Sequence, residues 1–360
     1  MQVINLSSVT EITATPETDN LYQESFAVVI FILVNNSCIS TAIGLLGIVA
    51  NIINMTVFLH QGLDSSINIS LFSISISDTF TILFIIWSNF AFNPFIDQVP
   101  APISFDEVYY VTGGWPSGFT VRVTLYITAY ITAERCLSIV FPLKIKTMIT
   151  PKRSKLIICG LTLINALTLI PEYTSIYLSW HLSDKKNETV LGVDFRSNRQ
   201  QTQGITFMLH VALVVVGQGA VIFLTSVLVI HLRRQSKWRM KSSSEINHRS
   251  ALSSRDRKSV ALVIVVATSM VIAYIPLSPV SLVTVFVPEF YISGQLSRIF
   301  IETWGTIFLF SMINASSNIL IYYNMNSKFR NTFRDLFTHR QQFKQLQTNV
   351  ILKTVKQECV

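Results

Sequence analysis

Charged residues are scarce in this chain of 360 residues. Asp, Glu, Lys and Arg together make up 13% of it, whereas apolar residues make up 50%. This balance excludes an ordinary soluble domain, in which about a quarter of the residues are charged. The net charge of +8 does not indicate nucleic-acid binding, because the basic residues lie between apolar runs rather than on a polar fold. The composition therefore predicts a membrane protein.

Cysteine is also rare, with four residues in the whole chain. Only Cys38 lies near the face of the membrane that we expect to be extracellular, which excludes an extracellular disulfide within the chain. A nucleophile with an adjacent base, a phosphate-binding loop and a set of residues at metal-ligand spacing are all missing from the sequence. These absences indicate that the protein is not an enzyme.

Seven apolar runs are each long enough to cross the hydrocarbon layer, which requires about 20 residues. The connections between them are polar or rich in turn residues, such as Gly113–Ser117. We predict an all-α membrane protein, a seven-transmembrane helix bundle over residues 30–323 that follows an extracellular segment, residues 1–29. The runs lie near residues 30–60, 67–95, 117–141, 154–176, 204–232, 258–288 and 296–323.

A short amphipathic helix is predicted after the seventh run, over residues 324–338. Its apolar face consists of Phe329, Phe333, Leu336 and Phe337, with basic residues beside it. This pattern is typical of a helix that lies on the inner leaflet of a membrane, and the alternative is a soluble helix packed on the bundle. Residues 339–360 are expected to form a flexible cytoplasmic tail.

The positions of Lys and Arg predict the orientation, because basic residues near span ends stay in the cytoplasm. They cluster in the connections after the third and fifth runs and after the seventh, whereas the chain has none up to Ser25. We therefore expect a multi-pass protein of the plasma membrane, with its amino terminus outside and its carboxyl terminus in the cytoplasm. The sequons at Asn5 and Asn187 fall in outer segments and are predicted glycosylation sites.

Five motifs occur in order along the runs. They are Asn51 in the first run, Asp78 in the second, Glu134-Arg135-Cys136 followed by Pro142-Leu143 at the third, Pro276 in the sixth, and Asn318 with Tyr322 in the seventh. With these motifs the chain resembles the rhodopsin-like (class A) G-protein-coupled receptors over all seven spans. The sequence departs from that pattern at Cys136, Tyr274 and Ile319, where the family has Tyr, Trp and Pro.

Four short stretches carry a narrower resemblance, namely Ala50–Asn54, Asn68–Leu71, Gly114–Pro116 and Glu134–Leu137. They are similar to the expanded chemosensory receptor families of gastropod molluscs. The resemblance implies a chemosensory receptor that binds an extracellular small-molecule or peptide ligand and activates a heterotrimeric G protein. The alternatives are a neuropeptide receptor of the same fold and, in another class, a small-solute transporter or channel, which usually has the inverted repeats that this sequence lacks.

The resemblance also implies a set of switch residues. Asp256 lies 20 residues before Pro276, opposite Arg135 at the cytoplasmic end of the sixth span. An ion pair between Arg135 and Asp256 would join the third and sixth spans, and Pro276 would provide a hinge, with Asn318 and Tyr322 completing the switch. Alternatively, Asp256 neutralises its basic neighbours, and Glu134 and Arg135 pair with each other at the membrane interface.

A polar pocket is expected inside the bundle. Asp78, Thr124, Asn314 and Asn318 correspond to residues that bind sodium in relatives, and no other cofactor is expected. A buried carboxylate needs a counter-ion or a proton, because burying a bare charge costs several kcal/mol. The alternative to a sodium ion is a protonated, hydrogen-bonded Asp78.

Arg122 is the most unusual residue of the outer half. It lies 13 residues before Arg135, or about 20 Å along a helix, which is well inside the bilayer. We expect it to bind a carboxylate of the ligand, and the alternatives are an internal partner, Glu302 or Glu172, or a side chain that extends towards the interface.

The other predicted ligand-binding residues are Ser117, His210, Gln218, Tyr274 and Glu302. Ser117 stands where amine receptors have an Asp, so an amine ligand is disfavoured. Tyr274 is alternatively a core aromatic residue. Tyr110 stands where the family has a disulfide-forming Cys, and residues 177–203 contain no Cys, so the second outer loop is either held by packing or moves more freely.

Overall fold

The structure is a computed structural model that describes residues 26–96, 99–141, 144–183, 187–197, 199–241, 254–287, 289–290 and 295–337. Four predictions concern residues that lie wholly or mostly outside these ranges: the extracellular segment 1–29, the glycosylation site Asn5, the Pro142-Leu143 motif and the tail from residue 339.

Seven helices in the described ranges are long and apolar enough to cross a membrane. The predicted seven-span helix bundle is therefore confirmed, as is the helix that follows it. We number them α1 (Phe26–Gln61), α2 (Ser66–Ala91), α3 (Phe105–Val140), α4 (Pro151–Thr174), α5 (Arg199–Lys241), α6 (Ser254–Tyr274, continued by Leu277–Phe286), α7 (Ser297–Met325) and α8 (Ser327–Phe337). A short helix, Ile145–Met148, precedes α4.

Helix α3 starts 12 residues earlier than residue 117, where the sequence analysis began the third run. The stretch Gly113–Ser117, which the sequence analysis read as a connection, is helical. Residues Tyr110–Gly114 form a wider π-helical turn, and Pro116 lies in the first turn of the regular helix that follows. Because the hydrogen-bond pattern changes from π-helical to α-helical just before Pro116, the proline is accommodated within α3 and does not end it.

A β-hairpin between α4 and α5 was not predicted. Strand β1 (Ile176–Ser183) pairs antiparallel with β2 (Glu188–Phe195), and the exposed Asn187 adopts a positive φ of 51° in the turn between them. Asn and Gly tolerate this conformation best, which suits the turn. The hairpin lies at the end of the bundle where α3 begins, and we call this the hairpin end.

The hairpin is joined to the chain before α3 by backbone hydrogen bonds. The Leu191 amide donates to the carbonyl of Pro102 at 2.8 Å, and the Ser104 amide donates to the Leu191 carbonyl at 3.0 Å. One turn further, the Glu107 carboxylate accepts the Val193 amide at 2.8 Å. These bonds provide partners for backbone groups on the unpaired edge of β2, and they fix the hairpin against α3.

A second contact holds the hairpin at Tyr110, the position where the resemblance places a disulfide-forming Cys. The Tyr110 hydroxyl donates to the buried carboxylate of Glu172 at 2.6 Å, and Arg199 forms an ion pair with the same carboxylate oxygen. The guanidinium also stacks over Phe195, 4.5 Å from the ring centroid. Burial by itself lowers the pKa of Arg199, but its contacts with Glu172 and Tyr110 together raise that pKa above its ordinary value, so the guanidinium stays charged.

At the opposite end, which we call the α8 end, aromatic rings join α8 to the bundle. Phe329 is fully buried between Phe58 and Tyr322, with ring centroids 5.3 and 5.7 Å away. Phe337, at the other end of α8, remains exposed. The helix therefore packs on the bundle at its start, and at its end it presents an apolar residue to the surroundings; its placement on the inner leaflet stays a prediction.

Replacing Gly47 with Ala should destabilise the bundle. A Cβ atom there would lie 2.1 Å from the Ser316 hydroxyl oxygen and 2.9 Å from Ile82, so α1 would have to move from α7 and α2. Overpacking of this kind costs about 1–3 kcal/mol. Gly160→Ala is the matched control, because its Cβ would meet nothing within 4 Å. We expect a lower melting temperature in detergent for Gly47→Ala alone, and equal melting temperatures would contradict this packing.

Replacing Arg199 with Gln should destabilise the protein by about 3–5 kcal/mol, because the buried Glu172 loses its ionic partner. The double variant Glu172→Gln/Arg199→Gln should recover part of the loss. Arg298→Gln is the control, since its pair with Glu302 is 44% and 35% exposed and such pairs contribute about 0–1 kcal/mol. The measurement is thermal unfolding of the purified chain, and a loss no larger than that of the control would show that Arg199 does not hold the hairpin.

Candidate ligand cavity and switch residues

A cavity of about 680 Å³ lies at the hairpin end, between α3, α5, α6 and α7. Its volume is typical of a site for a small molecule or for part of a peptide. The hairpin contributes His181 and Phe195 to its wall. The residues that line its interior include Tyr109, Trp115, His210, Leu277, Trp304 and Ser311.

Of the predicted ligand-binding residues, Ser117 and His210 line this cavity. Arg122 is fully buried directly behind His210. Glu302 lies elsewhere, in a shallow groove beside Phe31 and Pro276, and pairs with Arg298 one turn away in α7. Gln218 and Tyr274 are not among the residues that line the cavity.

Arg122 has partners that the sequence analysis did not foresee. Its guanidinium donates to the Asn165 side-chain oxygen at 3.3 Å, to the Thr168 hydroxyl at 3.1 Å, and to Nδ1 of His210. Neither Glu172, which pairs with Arg199, nor Glu302 is its internal partner. The side chain is 0% exposed, so it does not extend towards the interface either. The three acceptors are all neutral groups. Within the described residues, the guanidinium therefore has no carboxylate partner.

Gln218 bridges α5 to the break in α6. Its side-chain amide donates to the carbonyl of Tyr274, and its oxygen accepts the Ser278 hydroxyl. Pro276 has no amide hydrogen to donate, and the helix is interrupted between Tyr274 and Leu277. A side-chain donor to a carbonyl at this break is favourable because no water is available inside a bilayer. Gln218 therefore stabilises the kink that Pro276 was predicted to form.

Several cavity residues were missed by the sequence analysis. Glu107, on α3, accepts the hairpin amide and lies 3.5 Å from Nε2 of His181. Trp115 of α3 and Trp304 of α7 also line the cavity. Their indole N–H groups are buried without a hydrogen-bond partner in the described part of the chain. The signal in the sequence was weak, because a tryptophan in an apolar run is equally typical of a core.

The predicted polar pocket is assembled around Asp78. Its carboxylate accepts the Thr124 hydroxyl at 3.0 Å and the Asn318 amide at 2.7 Å. Asn314, one turn from Asn318, lies close to the Tyr274 hydroxyl. Three of the four predicted residues are thus in contact, and they join α2, α3 and α7. The carboxylate and the hydroxyl and amide oxygens are the type of ligands that a small hard cation prefers.

Tyr274 joins this polar pocket to the cavity. Its hydroxyl lies close to Asn314 and to Ser311, and Ser311 lines the cavity. The ring is almost fully buried in the core, against residues of α3, α5 and α7. The structure therefore places Tyr274 beneath the cavity, in the core position that the sequence analysis gave as the alternative.

Glu134 and Arg135 form an ion pair with each other in α3. Glu134 also accepts a hydrogen bond from the Ser66 hydroxyl, which in turn accepts from Ser154 at 2.7 Å. The network links α3 to α2 and α4 at the α8 end. Asp256 lies in α6, but its side chain is outside the described residues, so the predicted pair with Arg135 stays a prediction.

Tyr322 and Asn318, the predicted switch residues of α7, are both buried. Tyr322 packs against Phe58, with ring centroids 5.4 Å apart, and its hydroxyl has no partner among the described residues. Replacement of the family's proline by Ile319 leaves α7 continuous from Ser297 to Met325.

Seven membrane helices, a buried polar pocket between them and a cavity at one end define a membrane receptor of the seven-helix class. The chain belongs to the family described as serpentine type 7TM GPCR chemoreceptor Srw, which matches residues 17–340. It is thus a G-protein-coupled receptor and not an enzyme, as the sequence analysis predicted, and the transporter or channel alternative is not supported.

A relative is the tachykinin-like peptides receptor 86C of Drosophila melanogaster. The two are 25% identical over 279 residues, which cover 76% of this chain. The match spans only about half of that relative's own length, 53%. This relative is also a receptor, and its name refers to peptide ligands.

Proposed function

We propose that the protein is a chemosensory receptor of the plasma membrane that binds an extracellular small molecule or peptide in the cavity and activates a heterotrimeric G protein. The observation that carries the proposal is the position of Tyr274, which lies close to Ser311 at the cavity and within electrostatic range of Asp78 in the polar pocket. A ligand that favours one arrangement of these residues shifts the population of bundle states. The family description supports the chemosensory role.

In this proposal the hairpin end is extracellular and the α8 end is cytoplasmic. The basic residues of α8, Lys328, Arg330 and Arg334, support this orientation, because positive charge stays on the cytoplasmic side. The predicted glycosylation site Asn187 lies exposed in the hairpin turn, where an enzyme of the secretory pathway would reach it.

A neuropeptide receptor is the second candidate. Two observations favour it: the likeness to a tachykinin-like peptides receptor, and the acidic residues Asp106, Glu107 and Asp194 that line the outer part of the cavity. Acidic side chains there would suit a basic peptide. Glu107 and Asp194 are already engaged with the hairpin, the latter accepting the Ser179 hydroxyl, which leaves less charge for a ligand.

Activation would break the contacts that hold Arg135. The guanidinium pairs with Glu134, and Asp256 is the proposed partner on α6. Because ion pairs near water contribute only about 0–1 kcal/mol, such a pair leaves two bundle states close in free energy. Movement of α6 about Pro276 would then open a surface for the G protein.

We expect Asp256→Asn and Glu134→Gln to raise basal G-protein activation, and Arg135→Ala to abolish coupling. The assay uses cells that express the full chain with G proteins of each class, before and after addition of amino-acid mixtures and peptide extracts. Asp335→Asn is the matched control, because Asp335 is an exposed acid of α8. A wild-type chain that reaches the surface and never activates a G protein, with unchanged baselines in all variants, would contradict the proposed function.

We further propose that Asp78, Thr124, Asn314 and Asn318 bind a sodium ion. The arrangement fits in part: Asp78 and Thr124 supply oxygens, whereas Asn318 presents its amide nitrogen to Asp78 and would have to rotate its side chain. A protonated Asp78 with the same two donors is the alternative.

Sodium should raise the melting temperature of the wild-type chain relative to potassium at equal ionic strength. Binding to the folded state alone stabilises it by about 1.4 kcal/mol at tenfold the dissociation constant. Asp78→Asn should remove the difference between the two salts, whereas Asp64→Asn, in the connection between α1 and α2, should preserve it. Equal melting temperatures of the wild type in both salts would favour the protonated carboxyl.

A further inference from the structure

We propose that the ligand of this receptor carries a carboxylate, which binds at the cavity floor formed by Gly118, His210 and Trp115, with Arg122 behind it. The inference rests on the proposed function, because it names the ligand class of the same cavity. A free organic acid and the carboxyl terminus of a peptide share this chemistry.

The first observation is the uncompensated charge of Arg122. Its side chain is 0% exposed, and its partners Asn165, Thr168 and His210 supply only neutral acceptors. Burying an ion without an opposite charge costs several kcal/mol. An anion that enters the adjacent cavity would lower this cost, so the site is electrostatically selective for negative groups before any ligand contact forms.

The second observation is the state of His210. The guanidinium of Arg122 has only donors, so Nδ1 of His210 must be the acceptor in the contact between them. In the neutral ring the proton then resides on Nε2. His210 lines the cavity, and its Nε2–H is a donor whose polarity increases because the other nitrogen faces a cation. A carboxylate oxygen is the acceptor that matches it.

The third observation is a glycine that opens the cavity towards this pair. Gly118 lines the cavity, and a Cβ atom on it would lie 3.0 Å from Cε1 of His210 and 3.9 Å from Nη1 of Arg122. The missing side chain leaves a ligand atom space to approach both groups. Since a carboxylate has two oxygens, it can accept from His210 and lie close to the guanidinium at once.

Trp115 supplies a further donor beside the same spot. Its ring lies edge-on to that of His210, with centroids 6.3 Å apart, and its buried indole N–H has no partner in the described part of the chain. Buried N–H groups are almost always hydrogen-bonded in native proteins, so this one is suited to a ligand oxygen. The floor therefore presents donors and positive charge, whereas the acidic residues of the cavity lie near the hairpin.

The test compares acids with their uncharged analogues on the purified full chain. The probes are the free L-amino acids against their primary amides, and synthetic peptides with free against amidated carboxyl termini. We expect acids to raise the melting temperature and to bind about 10-fold or more tightly than the amides, as the loss of a charge-assisted hydrogen bond implies. The amino acids test whether the ligand is a small organic acid, and the peptides test whether it is the carboxyl terminus of a peptide.

Two variants localise the effect to the floor. Gly118→Ala should weaken binding of the active acid about 10-fold or more and reduce the ratio between acid and amide. Gly114→Ala is the matched control one turn away in the same cavity, because its Cβ would meet nothing closer than 3.7 Å. The comparison of acid and amide on the wild type remains informative if Gly118→Ala does not reach the membrane.

The outcomes distinguish this inference from the proposed function. Any of three results would overturn the inference: the amides bind as tightly as the acids, the two glycine variants behave equally, or no acid stabilises the wild type. Activation of a G protein by uncharged or basic compounds, unaffected by Gly118→Ala, would overturn it and leave the proposed function standing. Acids that stabilise the chain without activating any G protein would support the inference and contradict the proposed function.

Discussion

The structure depends on one constraint: inside a bilayer, ionic and polar groups are costly unless the protein itself supplies their partners. Helix α3 meets this requirement at two depths. Near its middle, Arg122 donates to amide, hydroxyl and imidazole acceptors from α4 and α5, and Thr124 donates to Asp78. At the α8 end Glu134 pairs with Arg135. Each of these groups fixes the neighbours of α3, because a misplaced partner would leave a charge or a donor unsatisfied. The apolar contacts fill the space that these polar contacts define.

Much of the fold could be predicted from the sequence, because a span of about 20 apolar residues is a local signal that needs no knowledge of the neighbours. The contact of Asp78 with Thr124 and Asn318 was also foreseen, since the resemblance supplied positions in three helices that no local pattern relates to one another. The β-hairpin was missed. Its strands lie in a connection with polar and charged residues, and their pairing depends on contacts with Pro102 and Glu107 that are distant in sequence.

The rotation of each helix about its axis was the hardest feature to predict. In a soluble helix the polar face marks the outside, but here both the lipid-facing and the inward-facing sides are apolar. Gln218 and Tyr274 were accordingly assigned to the ligand cavity, whereas Gln218 caps the break at Pro276 and Tyr274 lies beneath the cavity. The partners of Arg122 were missed for the same reason, because neutral Asn165 and Thr168 carry no charge pattern that would point to a cation.

The contact of the hairpin with α3 has a consequence for its chemistry. Hydrogen bonds and an ion pair among Tyr110, Glu172 and Arg199, with the guanidinium stacked over a phenylalanine ring, take the place of a covalent link between sulfur atoms. A reducing agent has no bond to cleave there, so the cover of the cavity is independent of the redox state of its surroundings.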